Sequence, residues 1–421
     1  MLRRRGYPAK LIAHIRNQDD LGRILAPWRE DIFYVPDSLW HRAAWEVGRR
    51  VPSQLGDLIA GTLLNFVNER FQAGIIRDLI AAGQVDLIHQ PAPVSPLAPS
   101  AIHGFGVPVV IGPMNGGMNY PPGFDDLESH AARRIVSFGR TIARFTNWIV
   151  PGKRKATALL VANERTRASL PFSDHPNVID LVENGVDLAT WSSAERKPRP
   201  PNAPFRLIFM GRLIAWKAVD TTLQALAAVR AAGTPVTLDI LGDGPERERL
   251  EALAGQPGLA GAVHFHGFLA QAECAAHLAT ADALILNSVR ECGGAVILEA
   301  MSLGLPVIGS DWGGPADYLD PSCGILVSPV PRADFSSRLG AAIMCLASNP
   351  DLCQRMGAAG AQKVRTSYNW ESKVDRIIEV YEEALTKKAL AQVAPSRTKP
   401  GWRTSNGSSA QDSSGSRVSS R

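Results

Sequence analysis

The first residues able to do chemistry are two cations. Arg212 and Lys217 lie in Gly211-Arg212-Leu213-Ile214-Ala215-Trp216-Lys217, directly after the apolar run Phe205–Met210. A nucleotide-sugar that gives up its sugar leaves a diphosphate with added negative charge, and a fixed guanidinium and ammonium would stabilise that charge as it develops. The plain alternative is two solvated cations flanking a helix start. Cations at a helix amino terminus are mildly unfavourable without an anion, which tilts the reading toward function.

A second constellation is Arg290-Glu291-Cys292-Gly293-Gly294-Ala295-Val296-Ile297-Leu298-Glu299. Gly293 and Gly294 let backbone approach a ligand, and a helix opening at Ala295 offers free N–H groups to phosphate. Carboxylates accept hydrogen bonds from paired sugar hydroxyls, so Glu291 and Glu299 on either side of a phosphate cradle suit a ligand with sugar, phosphates and ribose in a row. Glu299 falls inside the helix among Leu298, Ala300 and Met301, where an unpaired carboxylate is costly. It is an ordinary helix glutamate or it has a ligand or cation partner. Phe265-His266-Gly267-Phe268 ends another strand and either presents a ring (Phe268) to a nucleobase or simply closes a core edge. Gly242-Asp243-Gly244-Pro245 reads as loop geometry, and Gly309 to Pro315 as a structural turn.

These residues need a scaffold that gathers strand ends. Strands are expected at Phe205–Met210, Val236–Leu241, Val263–Phe265, Ala283–Leu286 and Pro306–Gly309. Helices are expected at Val219–Ala232, after Pro245, at Gln271–Ala279 and at Ala295–Leu303. Alternation at this spacing means a parallel sheet covered on both faces, with every strand-to-helix loop at one ligand-binding edge. The amino-terminal half is also α/β but less regular. Leu11–His14, Ile32–Val35, Asp86–His89 and Pro108–Ile111 are strand candidates, and Phe66–Ala82 a helix. Pro91 to Pro96 is too proline-rich for regular structure. Trp191 to Pro204 reads as a linker, and the Ser- and Gly-rich stretch from Ala391 as disordered.

The 421 residues suffice for two domains and a tail. A net charge of +5, much of it in the last thirty residues, gives no argument for nucleic acid and is compatible with loose attraction to an acidic membrane surface. Five scattered cysteines with no C-x-x-C read as reduced thiols of a cytoplasmic protein. No apolar run has the length of a spanning helix. Arg133, Arg134, Arg140 and Arg144 interleave with Ile135, Val136, Phe138, Ile142 and Phe145, followed by Lys153-Arg154-Lys155. That pattern fits either a helix lying on a membrane surface or, more commonly, one with a core face and a solvated basic face.

Taken together, Gly211-Arg212-Leu213 with Lys217, Leu241 to Pro245, Glu291 through Glu299, and Gly304-Leu305-Pro306-Val307-Ile308 resemble the retaining glycosyltransferases of family 4. The resemblance covers roughly Leu159 to Ala384 and, through Asp86 to His89 and Ile111 to Gly117, part of the amino-terminal half. It implies the GT-B architecture, two Rossmann-like domains facing across a cleft. The expected divisions are an acceptor-side domain at 1–190, a donor domain at 203–366, a crossing helix at 367–390 and a disordered basic tail at 391–421. By resemblance, Arg212 and Lys217 grip the diphosphate, Glu291 contacts the donor sugar, and Glu299 the ribose. Gly293, Gly294, Ala295 and Phe268 complete the donor site. Asn115, Gly116 and Gly117 stand by the cleft, and His89 faces the acceptor or merely ends a strand. Asn184-Gly185-Val186-Asp187 matches a turn that precedes the second domain. No metal and no cofactor beyond the nucleotide-sugar substrate are implied, and the expected partner is a saccharide or lipid-linked saccharide acceptor. One departure stands out. The family opens with a strand, a glycine-rich loop and a helix, whereas here what reads as the second strand, Leu11–His14, follows Met1 almost at once. The expectation is a late start codon or a truncated product.

Overall fold

The computed structural model describes residues 1–49, 53–128, 141–191, 199–200 and 202–393, with side chains described outside 47–60 and 391–393. Its strands form three parallel sheets. In the carboxy-terminal half, β7 (Phe205–Met210), β8 (Val236–Leu241), β9 (Val263–Gly267), β10 (Ala283–Leu286), β11 (Val307–Ser310) and β12 (Gly324–Val327) take the order β12-β11-β10-β7-β8-β9. In the amino-terminal half, β3 (Ile88–Gln90), β4 (Val109–Met114), β5 (Ala158–Val161) and β6 (Val178–Asp180) form a four-stranded sheet, and β1 (Leu11–His14) pairs with β2 (Ile32–Val35) in a separate ribbon. Central strands carry apolar residues on both faces because helices cover both. Leu207, Ile208 and Phe209 are fully buried, as are all four residues of β10.

Helices pack as the sheet demands. Val219–Ala231 buries Val219, Leu223, Leu226 and Val229 and lies against Phe335–Ala347. The last described helix, Trp370–Val393, runs past residue 390 and packs on the other half of the molecule. Its Val380 and Ala384 join Val110, Ala158 and Leu160 in one apolar cluster. Its first turn is fastened to the Asn184–Val186 turn. Trp370 N donates to the Val186 carbonyl at 3.2 Å, and the Lys373 ammonium donates to the carbonyls of Val182 and Asn184. Burial pushes Lys373 down to about 8.

One feature here agrees with the gap expected in the amino-terminal half, and one expectation changes. Among the described residues no strand joins β1 to β3, and a cavity of about 470 Å³ lies between them. Leu11, Ile12, Ile88 and Gln90 line it from the strands, and Ile76 and Tyr381 from helices on either side. Lys153, read as part of a basic surface, is instead fully buried. Its ammonium donates to the carbonyls of Ser95 at 2.7 Å and Pro96 at 3.2 Å, and burial pushes it down to about 7. A proline-rich loop has few amides of its own to pair, and a buried cation takes up its carbonyls. Of the basic amphipathic stretch, Arg133, Arg134, Ile135, Val136, Phe138 and Arg140 lie outside the described residues, as do most of the expected linker and the tail from residue 394.

Candidate donor site

The turn that carries the two cations is sewn to its neighbours. Gly211 N donates to the Leu241 carbonyl at 2.9 Å and Leu213 N to the Asp243 carbonyl at 2.9 Å. The backbone of Gly242 and Gly244 lies against Gly211 and Leu213 so closely that a Cβ at either glycine would overlap main-chain atoms. Asp243 caps this turn through Gly244 N at 2.7 Å and pairs with Arg247 at 3.0 Å, in keeping with a loop-shaping role. After Lys217 the chain takes a left-handed step at Ala218 (φ 51°), and the buried Asn287 side chain holds that step. Its amide donates to the Ala218 carbonyl at 2.8 Å and its carbonyl accepts from the Thr222 hydroxyl at 2.8 Å. Val289 N adds a bond to the Trp216 carbonyl at 2.9 Å.

The consequence is a pairing across strand ends. The Lys217 ammonium meets the Glu291 carboxylate, although the two are 74 residues apart. Arg212 is exposed and pairs with no carboxylate among the described residues. Gly294, at φ 88°, caps the helix Ala295–Ser302, and the buried Gly293 presses against Glu183 and Asn184. Glu299 lies on that helix, and burial alone pushes its carboxyl up to about 7. An apolar site that penalises charge is one that a donor of hydrogen bonds can relieve. Phe268 is 88 % exposed beyond β9.

The acceptor-side candidates separate. Asn115 bridges the two halves, its amide donating to Glu183 Oε1 at 2.6 Å and to the Cys292 carbonyl at 2.9 Å. Gly116 N donates to the Thr166 hydroxyl at 3.1 Å, and Gly117 (φ 75°) packs on Ser169. His89 sits apart from them in β3. Both ring nitrogens are engaged, Nδ1 with the Tyr381 hydroxyl at 2.5 Å and Nε2 with the Gly112 carbonyl at 2.6 Å. Further contacts close the same seam. Arg165 pairs with Asp317 at 2.9 Å, Trp312 Nε1 donates to the Asn119 carbonyl at 2.9 Å, and Arg332 pairs with Asp126. Glu183, Arg165, Asp317 and Asn287 had not been singled out from sequence. Only Asn287 carried a signal there, a polar residue closing an apolar strand.

Among the described residues one group of metal-capable side chains gathers, His14, Asp37 and His41, with atoms within 4.8 Å of one another. It lies at the ends of β1 and β2, outside the donor loops. Backbone N–H groups of Arg16 and Ser38 donate to the Nδ1 atoms of His14 and His41, which leaves the ring protons on Nε2. Arg16 also holds Asp37 at 3.0 Å. The two imidazoles thus turn protons rather than lone pairs toward the group, and Arg16 offsets the charge of Asp37. None of the five cysteines is in a disulfide.

The segment that carries these residues is similar to known proteins. Residues 192–363 match the family model of glycosyl transferases group 1. The chain is 36 % identical over 220 residues to a phosphatidyl-myo-inositol mannosyltransferase of Mycobacterium leprae (strain TN), covering 51 % of this chain and 57 % of that protein. It is 28 % identical over 248 residues to a glycogen synthase of Mycobacterium tuberculosis (strain ATCC 25618 / H37Rv), covering 58 % of each. The match thus spans little more than half the length of these relatives. Two solved structures share the fold over most of the chain. A glycosyltransferase from Rickettsia africae ESF-5 gives a TM-score of 0.60 at 16 % identity, covering 91 % of this chain and 92 % of that one. HepE of Anabaena in complex with UDP gives 0.59 at 17 % identity, covering 89 % and 100 %. The fold is GT-B, two Rossmann-like domains, and the carboxy-terminal segment matches the group 1 glycosyltransferase model.

Proposed function

We propose that this chain, whose residues 192–363 match the model of glycosyl transferases group 1, transfers a sugar from a nucleotide-diphosphate-sugar to an acceptor hydroxyl with retention of configuration. The observation that carries the proposal is the meeting of Lys217 with Glu291 beside the exposed Arg212 at the carboxyl edge of β7 and β10. A cation and a carboxylate held together there divide the ligand between them. The ammonium and guanidinium take the diphosphate, and the carboxylate takes the sugar hydroxyls. Glu299 takes the ribose, the N–H groups opening at Ala295 face phosphate, and Phe268 covers the base. Transfer runs as same-face substitution. The bond from the anomeric carbon to the diphosphate breaks, the acceptor oxygen bonds to that carbon from the same side, and a departing phosphate oxygen takes the acceptor proton. Arg212 and Lys217 stabilise the charge that collects on the leaving group.

The acceptor is a saccharide of a cell-surface or exported polysaccharide, free or lipid-linked. A relative named lipopolysaccharide core biosynthesis glycosyltransferase LpsD, from Rhizobium meliloti (strain 1021), supports that class. So does the surface of the helical residues 141–149, which presents Phe145 (62 % exposed), Trp148 (66 %) and Ile149 beside Arg144. No described helix is long and apolar enough to cross a membrane. The exposed Phe145 and Trp148 support a peripheral place on the inner face of the cell membrane.

A second reading, nucleotide-sugar binding without transfer, draws support from the break between β1 and β3. A panel of nucleotide-sugars assayed for nucleotide release, with and without saccharide acceptors, separates the two. Acceptor-dependent release of one nucleotide supports transfer. Saturable binding with no release on any donor would favour the second reading.

A further inference from the structure

We propose that Asn115 is a positioning residue for the donor loop, acting through the Cys292 carbonyl and Glu183 to fix where Glu291 stands. The inference rests on the transfer reading above and adds a residue that acts through another.

The Asn115 side chain is held from its own half of the molecule. Its backbone N–H donates to the Val94 carbonyl at 3.0 Å, its side-chain carbonyl accepts from the Thr166 hydroxyl at 3.3 Å, and it is buried. The amide group therefore cannot turn without giving up partners. It spends one donor in its own half, on Glu183 Oε1 at 2.6 Å, and the other across the seam, on the Cys292 carbonyl at 2.9 Å. Arg165 reaches the same carbonyl at 3.4 Å. The preceding carbonyl, that of Glu291, accepts from Gly314 N at 2.7 Å. Consecutive peptide planes on either side of Cys292 are thus pinned from opposite halves of the molecule, and the Glu291 side chain, directly ahead of the first plane, meets Lys217.

Glu183 makes the pin continuous with the crossing helix. Its Oε1 also accepts from Asn184 at 3.0 Å, its other oxygen is buried without a partner, and its charge favours the protonated form of the buried Lys373. Gly293 packs on Glu183 and Asn184 with no room for a side chain. The path from Lys373 through Glu183 and Asn115 to Cys292 couples the relative place of the two halves to the donor loop. Misplacing a reacting group by about 1 Å costs on the order of a hundredfold in rate.

The test uses Asn115→Asp, which keeps shape but sets a carboxylate against Glu183 and a carbonyl, and Asn115→Ser, which removes the contact without repulsion. Hydrogen exchange of residues 289–295 is measured in the ligand-free full chain, alongside kcat and KM for the donor and Tm. Both variants should expose the loop to faster exchange and lower kcat by roughly ten- to a hundredfold, with donor KM within about threefold. Glu183→Gln, which keeps an acceptor for Asn115, should lose less than either. Unchanged loop exchange in Asn115→Ser, or undiminished kcat despite faster exchange, would overturn the proposal. A wild-type chain inactive on every donor would instead defeat the transfer reading, and the exchange arm would still decide whether Asn115 holds the loop.

Discussion

At the scale of single residues, the carboxylate of Glu299 is the most exposed to test. Burial raises it to about 7 from an ordinary 4.5, so the folded chain prefers its neutral form. The sign follows from that. Its contribution favours folding at low pH, is lost as pH climbs from about 4.5 toward 7, and levels off above. If ribose hydroxyls donate to it, nucleotide binding selects the ionised form. The affinity of a nucleoside diphosphate, followed by calorimetry, should rise from pH 6 to pH 8, and Glu299→Gln should flatten that slope. A parallel pH profile in the variant would exclude a ribose contact. The sequence alone exposed this residue, since a glutamate among Leu298, Ala300 and Met301 has no apolar reason to be there. Asn115 could be placed by the cleft but not given a partner. Glu183 and Cys292 lie 68 and 177 residues away, beyond any local pattern.

Among the elements, those buried on both faces were the legible ones. Phe205–Met210, Val236–Leu241 and Ala283–Leu286 are mostly apolar, interrupted only by Arg206, Thr237 and Asp239, and closed by a glycine or a polar residue, and their bounds match the structure. β5, β6 and β12, of four, three and four residues, went unread. The turn between β7 and the helix Val219–Ala231 depends on Asn287, whose two bonds hold a left-handed alanine. Asn287→Ala leaves the Ala218 carbonyl and the Thr222 hydroxyl without that partner. The cost should be about 1–3 kcal/mol by denaturant unfolding. Lys217 should also move away from Glu291, so nucleotide affinity should fall in the variant under conditions where it is still folded. Unaltered affinity would mean that the turn keeps its shape without Asn287.

For the whole molecule, two halves meet along a seam of polar contacts while the crossing helix returns from the second half to the first. The GT-B architecture was legible because ordered motifs recur along the carboxy-terminal half. The place of Lys153 was not, because a basic triplet reads as surface until the loop carbonyls it serves are seen. Among the described residues, what is left of the basic amphipathic stretch is 141–149, with Arg144 beside Phe145 and Trp148. Phe145→Ser with Trp148→Ser should reduce flotation with anionic phospholipid vesicles several-fold, with little effect on turnover of a soluble acceptor. Equal flotation of wild type and variant would remove that surface from the account.

The account stands or falls on the pairing at the strand ends. Its most direct test is acceptor-dependent nucleotide release from a donor identified by screening, compared between wild type and Lys217→Ala. The account predicts a loss of at least a hundredfold in kcat, the scale of removing one charge stabiliser from the transition state, with the variant melting as a folded protein. Full turnover in Lys217→Ala would contradict it.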